Sequence, residues 1–301
     1  MHPTTVPPPS PATARASGGI RLGYESSGRG PAVLLVMGFG MTLRQWWRTV
    51  PVLARHFRVL AYDHRGIGAS DGSALPYSAA RLADDAIAVL DAAGEDAAHV
   101  YGLSLGGMIA QEVALRHPER VRALVLGATT AGGARAVPGD ERALSFFARS
   151  TVLTPEEAAW ATVPYLYGDE TRRRHGQRIA EDMALRGGHG PSLVTYGQQL
   201  LAAVTHNTAG RLDRIAAPTL VVHGEEDRIV AVENARRLAD AIPGAELEAW
   251  DGAGHFYVTD EPRADEHVAR FLLRHTPELG AVQRLAGRAR SRLRVLWRAA
   301  A

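Results

Sequence analysis

Cysteine and lysine are both absent from the 301 residues of this chain. Without cysteine it cannot form disulfides, cysteine nucleophiles or thiolate sites for zinc or iron–sulfur clusters. Without lysine it cannot use a lysine Schiff base or the phosphate-binding lysine of a Walker motif. No apolar run approaches the roughly 18 to 20 residues that span a bilayer. With 46% hydrophobic and 22% charged residues, the composition is that of a globular protein of one large or two ordinary domains.

Positive charge is concentrated at the C-terminal end. The formal net charge is +2, and residues 281–301 contain six arginines and no acid, so the remainder carries a net charge of about −4. Because a protein that binds nucleic acid needs a basic face, no nucleic-acid partner is expected. The arginine-rich end could lie on an anionic membrane, but Gly287 interrupts it and no single helical face stays apolar. We therefore predict a solvated basic extension over residues 277–301.

The first 18 residues are rich in proline, threonine, serine and alanine. They lack the apolar stretch of a secretory signal, so we predict a disordered leader over residues 1–18 and a cytoplasmic protein. The sequence does not specify an oligomeric state.

Short apolar runs alternate with helix-like segments from about Gly19 to Thr276. Residues 77–93 place apolar side chains on one helical face, with Ser78 as the N-cap and Gly94 as the stop. A second helix is predicted over Leu105–His117, just before a proline. This alternation predicts an α/β fold with a mostly parallel central sheet and helices on both faces. The predicted buried strands are Ala32–Met37, Arg58–Tyr62, Ala98–Leu103, Val121–Gly127 and Thr219–His223.

The alternation breaks between residues 132 and 210. This stretch contains helical segments but no convincing buried strand, which predicts a helical cap inserted into a core formed by residues 19–131 and 211–276. The helical segments are Glu141–Arg149, Pro155–Thr162 and Thr171–Arg186.

The sequence Gly102-Leu103-Ser104-Leu105-Gly106 lies between a predicted strand and a predicted helix. A sharp strand-to-helix turn forces its apex residue into an unfavourable backbone conformation, and glycines two residues before and after provide the space. Ser104 would then stand exposed at the carboxyl end of the sheet. The pattern indicates a nucleophile elbow.

A serine hydroxyl is a weak nucleophile, so it needs a base within hydrogen-bonding reach and a carboxylate that orients the base. Asp227 lies in the loop after the Thr219–His223 strand, with Glu225 and Glu226 as neighbouring alternatives, and His255 follows the next strand. The chain order serine, acid, histidine is that expected for a nucleophile elbow of this architecture.

The segment Val36-Met37-Gly38-Phe39-Gly40 follows the first strong apolar run, where a backbone N–H completes an oxyanion hole. We predict that the amides of Phe39 and Leu105 stabilise the charge that develops on an attacked carbonyl oxygen.

Five segments of the chain occur in a characteristic order. They are YDHRGIGASD (62–71), GLSLGGM (102–108), HPERVRALVLGAT (117–129), HGEEDRIV (223–230) and GAGH (252–255). In these segments the chain resembles the α/β-hydrolase superfamily, in its capped branch that includes 3-oxoadipate enol-lactonases and related small esterases. The resemblance covers roughly Gly19 to Thr276 and implies Ser104 as nucleophile, Asp227 as acid and His255 as base. One departure is Met37, since many relatives carry histidine before the oxyanion-loop glycine.

The resemblance implies a cofactor-independent serine hydrolase that cleaves a small or medium carboxylic ester or lactone. Haloalkane dehalogenase and epoxide hydrolase chemistry is disfavoured, because relatives of that type use aspartate where this chain has Ser104. C–C bond hydrolysis, thioester cleavage, perhydrolysis and a non-catalytic binding role remain alternatives. No histidines show metal-ligand spacing, so no metal is expected. The candidate substrate contacts are Trp46, Trp160, Tyr165 and Tyr196.

Overall fold

The computed structural model describes residues 9–73, 75–149, 152–186 and 190–276, and this part of the chain forms eight strands and twelve α-helices. The strands are β1 (Ser10–Arg15), β2 (Arg21–Gly28), β3 (Ala32–Val36), β4 (Arg58–Tyr62), β5 (Ala98–Leu103), β6 (Val121–Gly127), β7 (Thr219–Gly224) and β8 (Glu246–Trp250). The helices are α1 (Thr49–Leu53), α2 (Ala79–Ala93), α3 (Leu105–Arg116), α4 (Glu141–Arg149), α5 (Pro155–Ala161), α6 (Val163–Leu166), α7 (Asp169–Arg174), α8 (Gly176–Arg186), α9 (Leu193–Val204), α10 (Glu233–Ala241), α11 (Tyr257–Asp260) and α12 (Ala264–Arg274).

All eight strands belong to one sheet, in the order β1-β2-β4-β3-β5-β6-β7-β8. The pairs β1–β2 and β2–β4 are antiparallel, and the other neighbours are parallel. Strands β3, β5 and β7 are buried at every residue, as expected for parallel strands covered by helices on both faces. The predicted mostly parallel sheet is confirmed.

Two hydrophobic clusters cover the two faces of the sheet. One contains the apolar sides of α2, α3 and α10, and the other contains residues of α1, α11 and α12. Helix α2 begins where the sequence predicted, because the Ser78 side chain accepts a hydrogen bond from the amide of Arg81. It ends at Gly94, which adopts a left-handed conformation with a φ of 73°.

Part of the predicted leader is ordered, which corrects the prediction for residues 1–18. Residues 10–15 form β1, which pairs antiparallel with β2 along its whole length. Ala14 and Ala16 are buried in the cluster that contains α2. Backbone pairing and two small apolar side chains order this segment, although its composition is typical of a solvated terminus.

Helices α4 to α9 follow β6 and precede β7, in the stretch predicted as the cap. Helix α4 has the predicted bounds, and the predicted segment Thr171–Arg186 is divided into α7 and α8 at His175. The sequence did not predict α9. No helix in the described part of the chain combines the length and apolar character needed to cross a bilayer. The predicted basic extension, residues 277–301, lies outside the described residues.

Candidate active site

Ser104 lies at the turn from β5 to α3 and adopts a φ of 57° and a ψ of −119°. A positive φ is unfavourable for a residue with a side chain, and the surrounding contacts must hold it. The Ser104 amide donates to the carbonyl of Gly127 at 2.8 Å, and the Ser104 carbonyl accepts from the Thr129 hydroxyl at 2.8 Å. A Cβ at Gly102 would overlap the backbone of Gly106, and one at Gly106 would overlap the carbonyl of Val36. Both glycines are therefore required by packing around the serine.

His255 and Asp227 form a buried hydrogen-bonded pair on the loops that follow β8 and β7. The distance from His255 Nδ1 to Asp227 Oδ2 is 2.7 Å. Asp227 Oδ1 accepts the amides of Ile229 and Val230 at 2.8 and 2.9 Å, which fixes the carboxylate. Because Nδ1 donates to the carboxylate, His255 Nε2 is the nitrogen available to accept a proton.

A second histidine supports the Asp227 carboxylate from the other side. His223 Nε2 lies 3.0 Å from Asp227 Oδ2 and 2.8 Å from the Val230 carbonyl oxygen, so this nitrogen carries the proton. Burial would raise the pKa of Asp227, but the His255 imidazole and the hydrogen bonds from His223 and His255 outweigh it. The pKa of Asp227 therefore lies well below its ordinary value, and the carboxylate stays ionised.

The loop after β3 packs directly against the serine. A Cβ on Gly38 would lie 3.3 Å from both the Ser104 Cβ and the Leu103 carbonyl oxygen, so the loop approaches as closely as glycine permits. His64 Nε2 lies 2.8 Å from the carbonyl oxygen of Met37, the residue before this glycine. Leu105 is the first residue of α3, and the first amides of a helix have no acceptor within the helix.

A cap side chain also fixes this loop. The amide of Gly40 donates to Gln199 Oε1 of α9 at 2.8 Å, and Gln199 is fully buried. Next to it, the ring of Phe39 meets the ring of Tyr196 edge to face, with 4.7 Å between ring centroids. The loop beside Ser104 is therefore supported from the core side by His64 and from the cap side by α9.

A cavity of about 1460 Å³ lies between the sheet and the cap. Five of the predicted site residues line it: Ser104, His255, Phe39, Leu105 and Tyr196. The cavity wall is mainly apolar, and about half of its residues belong to the cap. Among the described residues, no group of three or more His, Asp or Glu side chains is arranged to hold a metal ion.

Three predicted substrate contacts do not line the cavity, which corrects the prediction for Trp46, Trp160 and Tyr165. Trp46 is the last residue of a short 3₁₀ helix, Leu43–Trp46, and is fully buried in the core, with its ring centroid 4.9 Å from that of Tyr101. Trp160 is 48% exposed on α5. Tyr165 stacks on Phe146 at 5.6 Å, and Phe146 lines the cavity in its place.

Sequence reasoning missed three polar residues that shape the site. Gln199 holds the loop beside Ser104, Arg186 lines the cavity at the end of α8, and Thr162 donates to a backbone carbonyl while accepting from Arg186. Each is an ordinary polar residue within or next to a helix. Because such residues usually face solvent, no local pattern distinguishes them.

Comparison with known proteins gives one family match. The family model described as alpha/beta hydrolase fold matches residues 31–262. A Pseudomonas syringae pv. syringae protein named carbamate hydrolase RutD is 31% identical over 252 residues, which cover 82% of this chain and 95% of that protein.

Two solved structures are similar over most of this chain. The enol-lactonase from Burkholderia xenovorans LB400 superposes with a TM-score of 0.75 and 26% identity, covering 87% of this chain and 99% of that one. Est816, described as an N-acyl homoserine lactone degrading enzyme, gives a TM-score of 0.74 and 31% identity, covering 86% and 99%.

Proposed function

This chain is a hydrolase that belongs to the α/β-hydrolase family, and from that premise we propose that it cleaves a carboxylic ester or lactone through a serine acyl-enzyme. The observation that carries the proposal is the arrangement around the cavity. Ser104 stands on a turn of positive φ, and His255, tied to the ionised Asp227, lines the same cavity. These are the groups that acyl transfer requires.

In the first half-reaction His255 Nε2 takes the Ser104 proton as the oxygen attacks the substrate carbonyl. The tetrahedral intermediate carries its negative charge on the former carbonyl oxygen, toward which the amides of Phe39 and Leu105 would donate. One such donor is typically worth about 3 to 4 kcal/mol of transition-state stabilisation. Asp227 stabilises the imidazolium that forms, because its carboxylate stays charged.

His255 then returns the proton to the departing alcohol oxygen, which completes the first half-reaction and leaves an acyl group on Ser104. Water then enters, gives a proton to His255 and attacks the acyl carbon, and the serine leaves with that proton restored. For a lactone, the alcohol and the acid remain in one product molecule. No cofactor takes part in this mechanism.

Carbamate hydrolysis is a second candidate, favoured by the 31% identity to a protein named carbamate hydrolase. A carbamate offers the same reacting atom, a carbonyl carbon, to the same nucleophile. The apolar character of much of the cavity wall favours an ester or lactone with a hydrocarbon portion over a very small, fully polar carbamate.

The test is turnover of a panel of p-nitrophenyl esters, lactones and carbamates by the wild type and by Ser104→Ala. We expect ester or lactone hydrolysis by the wild type and a loss of at least about 10³-fold in kcat for Ser104→Ala. Ser10→Ala, an exposed serine on β1, is the matched control and should retain wild-type turnover.

Equal turnover by wild type and Ser104→Ala would refute the serine mechanism. Labelling with a serine-directed fluorophosphonate separates the remaining alternatives. A protein that is labelled but cleaves nothing in the panel would indicate a thioester, a C–C bond or another untested substrate. A protein that is not labelled at all would indicate a binding role.

A further inference from the structure

His255 lies in the loop between β8 and α11, residues 251–256, which we call the histidine loop. The backbone on both sides of His255 is hydrogen-bonded to other segments. After it, the Phe256 amide donates to the carbonyl of Leu166, the last residue of cap helix α6, at 2.7 Å. Before it, the Gly254 amide donates at 2.7 Å to the side chain of Asp260, the last residue of α11. The histidine loop is therefore held by a cap carbonyl and by a carboxylate.

The peptide group that joins Ala253 to Gly254 is held at both of its polar ends. Its carbonyl oxygen accepts the amide of Glu226, in the loop after β7, at 2.8 Å. Its N–H group donates to Asp260 Oδ2. Because this peptide group immediately precedes His255, a rotation of the peptide group would move the imidazole. Asp260 supplies the acceptor that opposes such a rotation.

The same carboxylate oxygen joins the histidine loop to the cap. Asp260 Oδ2 also accepts the amide of Gly168, the residue before α7, at 3.0 Å. Burial raises the pKa of the Asp260 carboxyl, and the hydrogen bonds from the two amides oppose this rise. One buried oxygen thus serves two backbone donors, one in the histidine loop and one in the cap.

The cap backbone approaches the histidine loop more closely than side chains would allow. A Cβ at Gly168 would overlap the carbonyl oxygen of Gly252, and a Cβ at Gly254 would lie 2.8 Å from the carbonyl oxygen of Leu166. The φ of Gly168 is −65°, which any residue adopts. The close approach, and not the backbone conformation, therefore requires glycine at position 168.

A second carboxylate joins the same two segments through side chains. Asp182 Oδ2 accepts the Tyr167 hydroxyl at 3.1 Å and the Thr259 hydroxyl at 2.6 Å. Tyr167 and Thr259 directly precede the cap glycine and the carboxylate described above. Of the two carboxylates, Asp260 is the one that hydrogen-bonds to the backbone of the histidine loop, so it is the one that can act on His255.

We propose that Asp260 is a positioning residue for His255, which keeps the imidazole aligned with Ser104 and makes that alignment depend on the docked cap. This inference rests on the proposed serine mechanism. Among the described residues that line the cavity, neither Asp260 nor Gly168 is present, so Asp260 acts through the backbone and not on the substrate. A displacement of about 1 Å at a catalytic group can cost about 10²-fold in rate, so loss of the Asp260 acceptor should lower kcat.

The first test measures steady-state kinetics on the p-nitrophenyl ester that the wild type cleaves fastest, with active sites counted by complete fluorophosphonate labelling. We expect Asp260→Ala to lower kcat per active site by about 10- to 100-fold and to change KM by less than about threefold. Asp260→Asn keeps an acceptor oxygen for both amides and should restore kcat to within about fivefold of the wild type. Asp251→Ala, at an exposed aspartate of the histidine loop, is the matched control and should retain wild-type values.

The dependence on the cap is tested from the other side of the contact. Gly168→Ala places a methyl group against the carbonyl of Gly252 and should lower kcat per active site by about 10-fold or more, with little change in KM. Gly176→Ala, at the start of α8 with open space around its Cβ position, is the control. Wild-type kcat in Gly168→Ala would contradict the dependence on the cap.

Proton NMR of proteins that lack the nucleophile separates this proposal from the proposed function. The Nδ1 proton of a histidine in a short hydrogen bond to a carboxylate resonates far downfield of the backbone amides, and it is observed without turnover. Ser104→Ala should show this resonance for His255, and Ser104→Ala/Asp260→Ala should show it weakened by faster exchange with water. That result supports the positioning role even if no ester in the panel is hydrolysed.

Three results would overturn the proposal. The first is a downfield resonance that is equally strong in Ser104→Ala and Ser104→Ala/Asp260→Ala, or absent from both. The second is a wild-type kcat per active site in Asp260→Ala. The third is an equal loss of kcat in Asp260→Ala and Asp260→Asn, because the acceptor oxygen would then not be what positions His255.

Discussion

The inner strands of the sheet, β3 to β7, are buried along most of their length, whereas cap helix α9 keeps several apolar side chains exposed, and Leu193 and Val204 among them line the cavity. In β3, β5 and β7 every residue is buried. In α9 the buried positions include Thr195 and Gln199, while Leu193, Val194 and Val204 are 64 to 71% exposed. The sheet is thus stabilised by continuous apolar burial, and α9 is held partly by a few buried polar contacts.

This difference assigns different tasks to the two regions. The sheet side positions Ser104, His255 and Asp227 through backbone turns and close glycine contacts, where a shift of one atom disturbs the chemistry. The cap contributes cavity wall and single polar groups such as Arg186, which can change without disturbing the sheet. In the proposed mechanism the core carries the reacting groups, and the cap supplies about half of the wall that a substrate would contact.

The largest expected effect comes from adding one methyl group at the turn beside the nucleophile. A Cβ in Gly106→Ala would overlap the carbonyl oxygen of Val36, which is backbone and cannot move aside by rotating. We expect a loss of about 4 kcal/mol or more in the free energy of unfolding, or no folded protein. Urea denaturation followed by circular dichroism measures it.

The same substitution in the cap is the matched control. Gly197 lies inside α9 with open space around its Cβ position. Because alanine favours helix over glycine, Gly197→Ala should leave the free energy of unfolding unchanged or raise it by up to about 1 kcal/mol. Similar destabilisation by both substitutions would contradict the contrast between the two regions.

The sequence predicted the sheet better than the cap for a physical reason. A buried parallel strand is covered on both faces, so its sequence is a short run of mostly apolar residues. Ala98–Leu103 and Thr219–His223 can therefore be recognised without tertiary information. The glycine spacing around Ser104 is also a local signal, because a turn of only a few residues requires it. These signals also place the loops that carry Asp227 and His255.

The missed features depend on contacts between distant segments. Helix α9 buries the polar residues Thr195 and Gln199. Its sequence therefore lacks the buried apolar stripe by which a surface helix is usually recognised. Trp46 was predicted near the cavity from its position after the loop, but the orientation of its ring depends on Tyr101. Arg186 follows Asp182 at ion-pair spacing, and only the fold shows that this aspartate is occupied by other donors.

We expect an intermediate loss of stability when a hydrogen-bonded contact between the cap and the core is removed. Asp182 of α8 accepts hydrogen bonds from Trp47 and Arg48 before α1 and from Thr259 of α11. Asp182→Ala leaves these donors without their acceptor, and we expect a loss of roughly 3 kcal/mol in the free energy of unfolding. Hydrogen exchange should increase in α8 more than in β5. Faster exchange spread evenly over β5 and α8 would show that the cap and the sheet unfold together.

The neighbouring residue provides the control for that experiment. Glu181 also pairs with Arg48, at 2.8 Å, but its side chain is 40% exposed. Since exposed ion pairs contribute little, Glu181→Ala should change the free energy of unfolding by less than about 1 kcal/mol. Losses of equal size for Glu181→Ala and Asp182→Ala would mean that the contact through Arg48, and not the buried carboxylate, fastens the cap.

The smallest effect concerns a buried carboxyl on the sheet side, Asp265 of α12. Unlike the carboxylate oxygens of Asp182, Oδ1 of Asp265 has no hydrogen-bond partner among the described residues. Burial raises the pKa of Asp265 to about 7. The folded protein therefore retains a proton that the unfolded chain loses above about pH 4. The contribution of Asp265 to the free energy of unfolding therefore falls as the pH rises from about 4 to about 7. Above about pH 7 this contribution does not change further.

Asp265→Asn removes the titration and should flatten this dependence. From the two pKa values, the free energy of unfolding of the wild type should fall by about 2 kcal/mol more than that of the variant between pH 5.5 and 7.5. Urea denaturation of both proteins at the two pH values measures the difference, so that the titration of all other groups cancels. Parallel pH profiles would mean that Asp265 is ionised in the folded protein. In that case the sheet side, like the cap, would stabilise its buried carboxylate with donors.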